Sequence, residues 1–96
     1  MSLFVYIGRD SDKAAELRPS VRPRHLEHLE PLDRAGRIRF AGPLLDASDR
    51  PCGSLIVFEA DDLSVAQEIA NSDPYSLEGV FGQVDVFATK AVFPSA

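Results

Sequence analysis

The chain has 96 residues and a net charge of −5, with 45% hydrophobic and 26% charged residues, the profile of one ordinary globular domain spanning 1–96. At that length a single core is thin, so burying further surface against a partner would help. The acidic balance argues against nucleic acid, and no apolar run approaches the roughly 18 residues of a membrane span.

Cys52 is the only cysteine, so no internal disulfide exists. The opening Met-Ser-Leu-Phe-Val-Tyr lacks the basic start and apolar run of a secretory leader. A soluble cytoplasmic protein is expected.

Leu3 to Gly8 is β-branched and aromatic and reads as the first strand. Asp10, Ser11 and Asp12 are candidate caps for a short helical turn through Leu17, which Pro19 interrupts. Pro23 can open a second helical segment, since a first-turn proline loses no helical hydrogen bond. From Arg22 to Gly36, helical spacing gathers Arg22, His25, Leu29 and Leu32 on one face and Arg24, Glu27, Glu30 and Arg34 on the other. Pro31 predicts a kink or break on the outer side, and Gly36 a helix stop. Arg18, Arg22, Arg24, Arg34, Arg37 and Arg39 are interrupted by Glu27, Glu30 and Asp33, and so read mainly as solvated surface.

Arg37 to Ala41 alternates and reads as the second strand, ended by Gly42-Pro43; the polar stretch from Asp46 to Gly53 reads as a hairpin connection. Ser54 to Ala60 is the third strand. Ser64 and Gln67 match a capping box, with Val65, Ala66, Ile69 and Ala70 as the apolar stripe of a helix to about Asn71. Asp73-Pro74 starts a further turn that ends near Gly79, and Val80 to Thr89 is the fourth strand. The order is βαββαβ, an α+β fold of the ferredoxin-like type with a four-stranded antiparallel sheet and helices on one face. Large apolar side chains alternate to both sides of the first, third and fourth strands. Two helices cover only one side, so sheet-on-sheet packing in a homodimer is expected.

His25 shares the inward helix face with Leu29 and Leu32, with Arg22 one turn earlier. An inward arginine needs an anion, from the protein or from a ligand. His25 and His28 lie three apart but lack a third ligand at recognisable spacing, so no metal is expected. No phosphate-cradling glycine pattern or nucleophile elbow is present, so neither a nucleotide or flavin cofactor nor a serine hydrolase is indicated. Asp73 before Pro74 is sufficiently explained as a helix cap; the alternative is that it reaches His25 and fixes its tautomer. Ser54 at a strand end either closes the hairpin or donates to a ligand. Cys52, in a loop with no evident flanking base, reads as incidental.

Ser20-Val-Arg-Pro-Arg-His-Leu26, Ala35-Gly-Arg-Ile-Arg-Phe-Ala-Gly-Pro43, Gly53-Ser54, Asp73-Pro-Tyr75 and Gly79-Val80 together resemble the YCII-related family in order and spacing. The resemblance covers nearly the whole chain. It implies a ferredoxin-like subunit in a dimeric α+β barrel. It also implies His25 and Asp73 as the active-site pair, with Arg22 and Ser54 lining the same cleft. Some relatives are associated with breakdown of chlorinated hydroxylated aromatics. The expected function is a small cofactor-free enzyme of the lyase or isomerase kind, acting on a small polar or aromatic anion. The alternatives are a non-catalytic ligand-binding or regulatory dimer using the same cleft, and an interaction domain in which His25–Asp73 is only a stabilising bond. The short loop carrying Arg50-Pro-Cys52, and Pro31 within the helix, depart from the family pattern and bear on the cleft's shape.

Overall fold

The computed structural model describes residues 1–95. The chain runs β1 (Ser2–Asp10), α1 (Ala14–Arg34), β2 (Ile38–Leu45), β3 (Pro51–Ala60), α2 (Leu63–Asn71), α3 (Pro74–Leu77) and β4 (Phe81–Thr89). The strands form one sheet in the order β2-β3-β1-β4, and every neighbouring pair is antiparallel. This is the ferredoxin-like βαββαβ fold. Among the described residues no helix is long and apolar enough to cross a membrane.

Registry decides which side chains meet the helices. Phe4 and Tyr6 of β1 lie beside Phe58 and Ile56 of β3 on one face, and all four are buried. Ala66 and Ala70 of α2, Val21 and Leu29 of α1, and Tyr75, Val80 and Phe81 complete this core. Gly8 continues the same face of β1, where a Cβ would overlap the Phe81 ring, so only glycine admits that ring against the strand.

The first helix departs from the expected two segments. It runs unbroken from Ala14 to Arg34 with Pro19, Pro23 and Pro31 inside it. At 100° per residue these prolines lie about 120°, 160° and 240° from His25, on the side away from the sheet. All three are exposed. The carbonyls they leave without a helical donor therefore face water, while Ala14, Val21, His25 and Leu29 hold the inner face down. Its start differs too: Lys13 occupies the cap position with no side-chain bond; of the expected caps, the Asp10 carboxylate binds Arg18 and the Ser11 hydroxyl accepts from the Lys13 amide.

Two strand ends and one cap also move. β2 continues through Gly42-Pro43 to Leu45, and β3 begins at Pro51, so the connection shrinks to five residues. An edge strand tolerates proline, whose missing N–H need not join a ladder. The tip is closed by Asp46 Oδ1, which accepts from the Ser48 and Arg50 amides. In α2 the cap is Asp62, which accepts from the Val65 amide at 2.9 Å, and not Ser64.

Candidate functional site

Asp73 is the N-cap of α3, with Pro74 at the first helical position, and its Oδ1 accepts from the Tyr75 amide at 3.0 Å. The same carboxylate faces α1. His25 Nδ1 lies 2.8 Å from both of its oxygens, and the Tyr6 hydroxyl donates to Oδ2 at 2.9 Å. The capping and histidine-pairing readings of Asp73 thus describe one arrangement rather than two alternatives. Three donors from three elements converge on a side chain with no exposure.

A carboxylate only accepts, so Nδ1 of His25 carries a proton, and whenever the ring is neutral Nε2 keeps its lone pair. No protein atom among the described residues bonds Nε2. His25 lies in the wall of a cavity of about 400 Å³, within the range of small-molecule sites. The wall has Arg18, Arg22, His25 and Leu29 from α1, Pro43 from β2, Ser54 and Ile56 from β3, and Tyr75 from α3. Of the four residues expected at a site, His25, Arg22 and Ser54 line the cavity, while Asp73 lies behind His25. Arg22 has no carboxylate partner among the described residues. Arg24, Arg34 and Arg39 pair at the surface with Glu78, Glu30 and Glu59.

Three residues of the site escaped the sequence reading. Arg18 is not solvated surface. It binds Asp10 through two nitrogens, at 2.7 and 2.9 Å, and donates to the Gly53 carbonyl at 3.1 Å. Burial opposes its charge, but the bonds and charge of Asp10 outweigh that and hold its pKa above the ordinary value. Tyr6 has its phenol pushed far up, first by burial and then by the Asp73 charge. Tyr75 is also raised by burial, against the opposing charges of Arg18 and Arg22, so both phenols keep their protons at neutral pH. The available signal was a tyrosine on the same strand face as Phe4: an inward phenol requires a polar partner.

His28 is not part of the cavity. Its Nε2 donates to the Ile69 carbonyl at 2.7 Å and ties α1 to α2. Cys52 is exposed on β3.

The model of the YCII-related domain matches residues 2–90. Protein YciI of Escherichia coli O6:H1 is 38% identical over 97 residues, covering 95% of this chain and 99% of that protein. The derivative of benzaldehyde biosynthesis cluster protein C of Emericella nidulans is 33% identical over 78 residues, 74% of this chain and 76% of that one. Among solved structures, the chain is similar to the 5-chloro-2-hydroxyhydroquinone dehydrochlorinase TftG of Burkholderia phenoliruptrix AC1100, in complex with 2,5-dihydroxybenzoquinone. That likeness has a TM-score of 0.82 and 27% identity, covering 92% of this chain and 93% of the other.

Proposed function

The chain belongs to the YCII-related family, and we propose that it is a proton-transfer enzyme of the lyase or isomerase kind acting on a small anionic aromatic or polar molecule. The observation that carries this reading is the division of labour on one imidazole. Nδ1 is committed to a buried carboxylate, and Nε2 is left without a protein partner in the wall of a cavity that Arg22 also lines.

In this mechanism the acidic group of the substrate lies against the Arg22 guanidinium, and the Ser54 hydroxyl hydrogen-bonds it. His25 Nε2 takes a proton from the substrate, and the positive charge that develops on the ring faces the Asp73 carboxylate. In isomerisation the proton returns at another atom. In elimination the adjacent bond breaks and the leaving group departs with its electron pair. No net electrons pass to or from the protein, so the step calls for no redox cofactor. The likeness to a dehydrochlorinase, which removes the elements of HCl, supports the elimination branch.

The test is chloride release from 5-chloro-2-hydroxyhydroquinone by the purified protein, beside calorimetric binding of 2,5-dihydroxybenzoquinone. His25→Ala should keep the fold and abolish turnover. Elemental analysis should find no stoichiometric metal. Binding without turnover would favour the regulatory reading, and loss of stability alone in His25→Ala would mark the pair as structural.

A further inference from the structure

The bond to Asp73 fixes one point of the His25 ring but not its plane. Nδ1 sits equally far from both carboxylate oxygens, at 2.8 Å, so the imidazole can swing about that contact. Keeping Nε2 turned to the cavity needs a second constraint. Tyr75 is placed to supply it. Its ring stacks on the imidazole with centroids 3.9 Å apart and planes 3° apart. Phe81 meets the Tyr75 ring edge-on at 5.4 Å. The Arg18 guanidinium carbon lies over the same ring, 5.2 Å from its centroid, within cation–π range. Arg18 is in turn held by Asp10 and the Gly53 carbonyl. Tyr75 is itself buried, and its amide is bonded to Asp73, so ring and carboxylate move as one body.

We propose that Tyr75 is a positioning residue: its ring clamps the plane of the His25 imidazole so that Nε2 opens onto the cavity, and the Arg18–Asp10 pair keeps the clamp shut. This rests on His25 being the proton-transfer group, but the clamp can be read without any turnover.

The chain has two histidines, and their bonds require opposite tautomers. His25 is protonated at Nδ1 against Asp73, and His28 at Nε2 against the Ile69 carbonyl. A long-range proton–nitrogen correlation spectrum at about pH 9, where free imidazoles are neutral, should resolve both, with His28 as internal control. Wild type and Tyr75→Phe should show a single Nδ1–H tautomer for His25. Tyr75→Leu should keep the Nδ1–H tautomer, since the Asp73 bond remains, but broaden the His25 ring correlations as the ring swings, with His28 unchanged. Turnover of 5-chloro-2-hydroxyhydroquinone should fall about tenfold or more in Tyr75→Leu, as expected for a misplaced reacting group, and recover in Tyr75→Phe.

A folded Tyr75→Leu protein with the wild-type His25 spectrum overturns the proposal, as does Tyr75→Phe behaving like Tyr75→Leu. Should Tyr75→Leu fail to fold, Arg18→Gln decides: a smaller broadening of the His25 ring correlations is expected, and an unchanged spectrum overturns the clamp. A broadened His25 ring combined with quinone binding and turnover indifferent to His25→Ala would sink the proton-transfer reading and leave the clamp standing.

Discussion

Asp73 serves two structures with one carboxylate, and that double duty sets the cost of losing it. Asp73→Ala removes the α3 cap and leaves the His25 and Tyr75 donors unpaired at a site closed to water, while the Tyr6 hydroxyl keeps Ser76 Oγ at 3.2 Å. With each buried unsatisfied donor costing about 1–3 kcal/mol, the variant should lose on the order of 3 kcal/mol or more, measurable in urea unfolding. His25→Ala, which opens onto the cavity, should cost much less. Tyr6 adds a pH signature. Its phenol pKa is raised in the folded chain, chiefly by burial. As pH rises through the ordinary tyrosine value of about 10, the unfolded chain loses this proton and the folded chain keeps it. The folded state then binds more protons, so the stability from this group is complete below about pH 10 and is lost above it. Unfolding measured between about pH 8 and pH 11 should therefore decline less steeply in Tyr6→Phe than in wild type; equal slopes would contradict the burial argument. Helical spacing turned His25 inward, but Asp-Pro was sufficiently explained as a helix start, and that Asp73 pairs with His25 came from the resemblance to the YCII-related family. Tyr6 was not legible in the sequence, since its partner lies 67 positions away and alternation alone does not say which face of a strand is inside.

At the scale of elements, α1 shows where local rules yield to tertiary ones. Proline inside a helix predicts a break, and a 21-residue helix with three prolines contradicts that locally. What reconciles them is the same face arithmetic that placed His25: each proline lies on the water side, where an orphan carbonyl is solvated rather than buried. The helix is thus longer than expected but not optimal. Pro31→Ala would restore an amide donor toward the Glu27 carbonyl without touching the core, and should raise stability by about 1–2 kcal/mol, part of the roughly 3 kcal/mol separating the two residues in helix interiors. A lower melting temperature would show that the proline bend is needed to fit the sheet. Gly42-Pro43 misled for a similar reason. Read alone the dipeptide ends a strand, but on an edge strand it continues one, and Pro43 becomes cavity wall.

At the scale of the whole molecule, the helices leave one sheet face open. Phe40, Val57, Val5 and Phe87 register as one row across all four strands on that face. Phe40 and Phe87 are 53% and 55% exposed. Leu55, Ile7 and Leu3 border the row. The sequence showed that both sides of the strands were apolar. It could not show which side would remain uncovered, because that depends on where α1 and α2 land. A homodimer packed through this row would bury it. Sedimentation at micromolar concentration should then give about twice the chain mass of 10.5 kDa, and Val57→Asp should halve it while leaving the cavity's quinone binding measurable. A clean wild-type monomer would rule out the assembly.

The short helix α3 has a consequence in time as well as in space. Three backbone bonds within residues 73–78 hold it: Ser76 and Leu77 to the Asp73 carbonyl, and Glu78 to that of Pro74. Local opening of these bonds would withdraw Asp73 from His25. The Tyr75 amide, whose acceptor is Asp73 itself, is a clock for those events. Its exchange with deuterium should outpace that of the central strand β1. A ligand that engages His25 only when Asp73 is in place should slow that exchange by the factor 1 + [L]/Kd, about a hundredfold at a hundred times Kd.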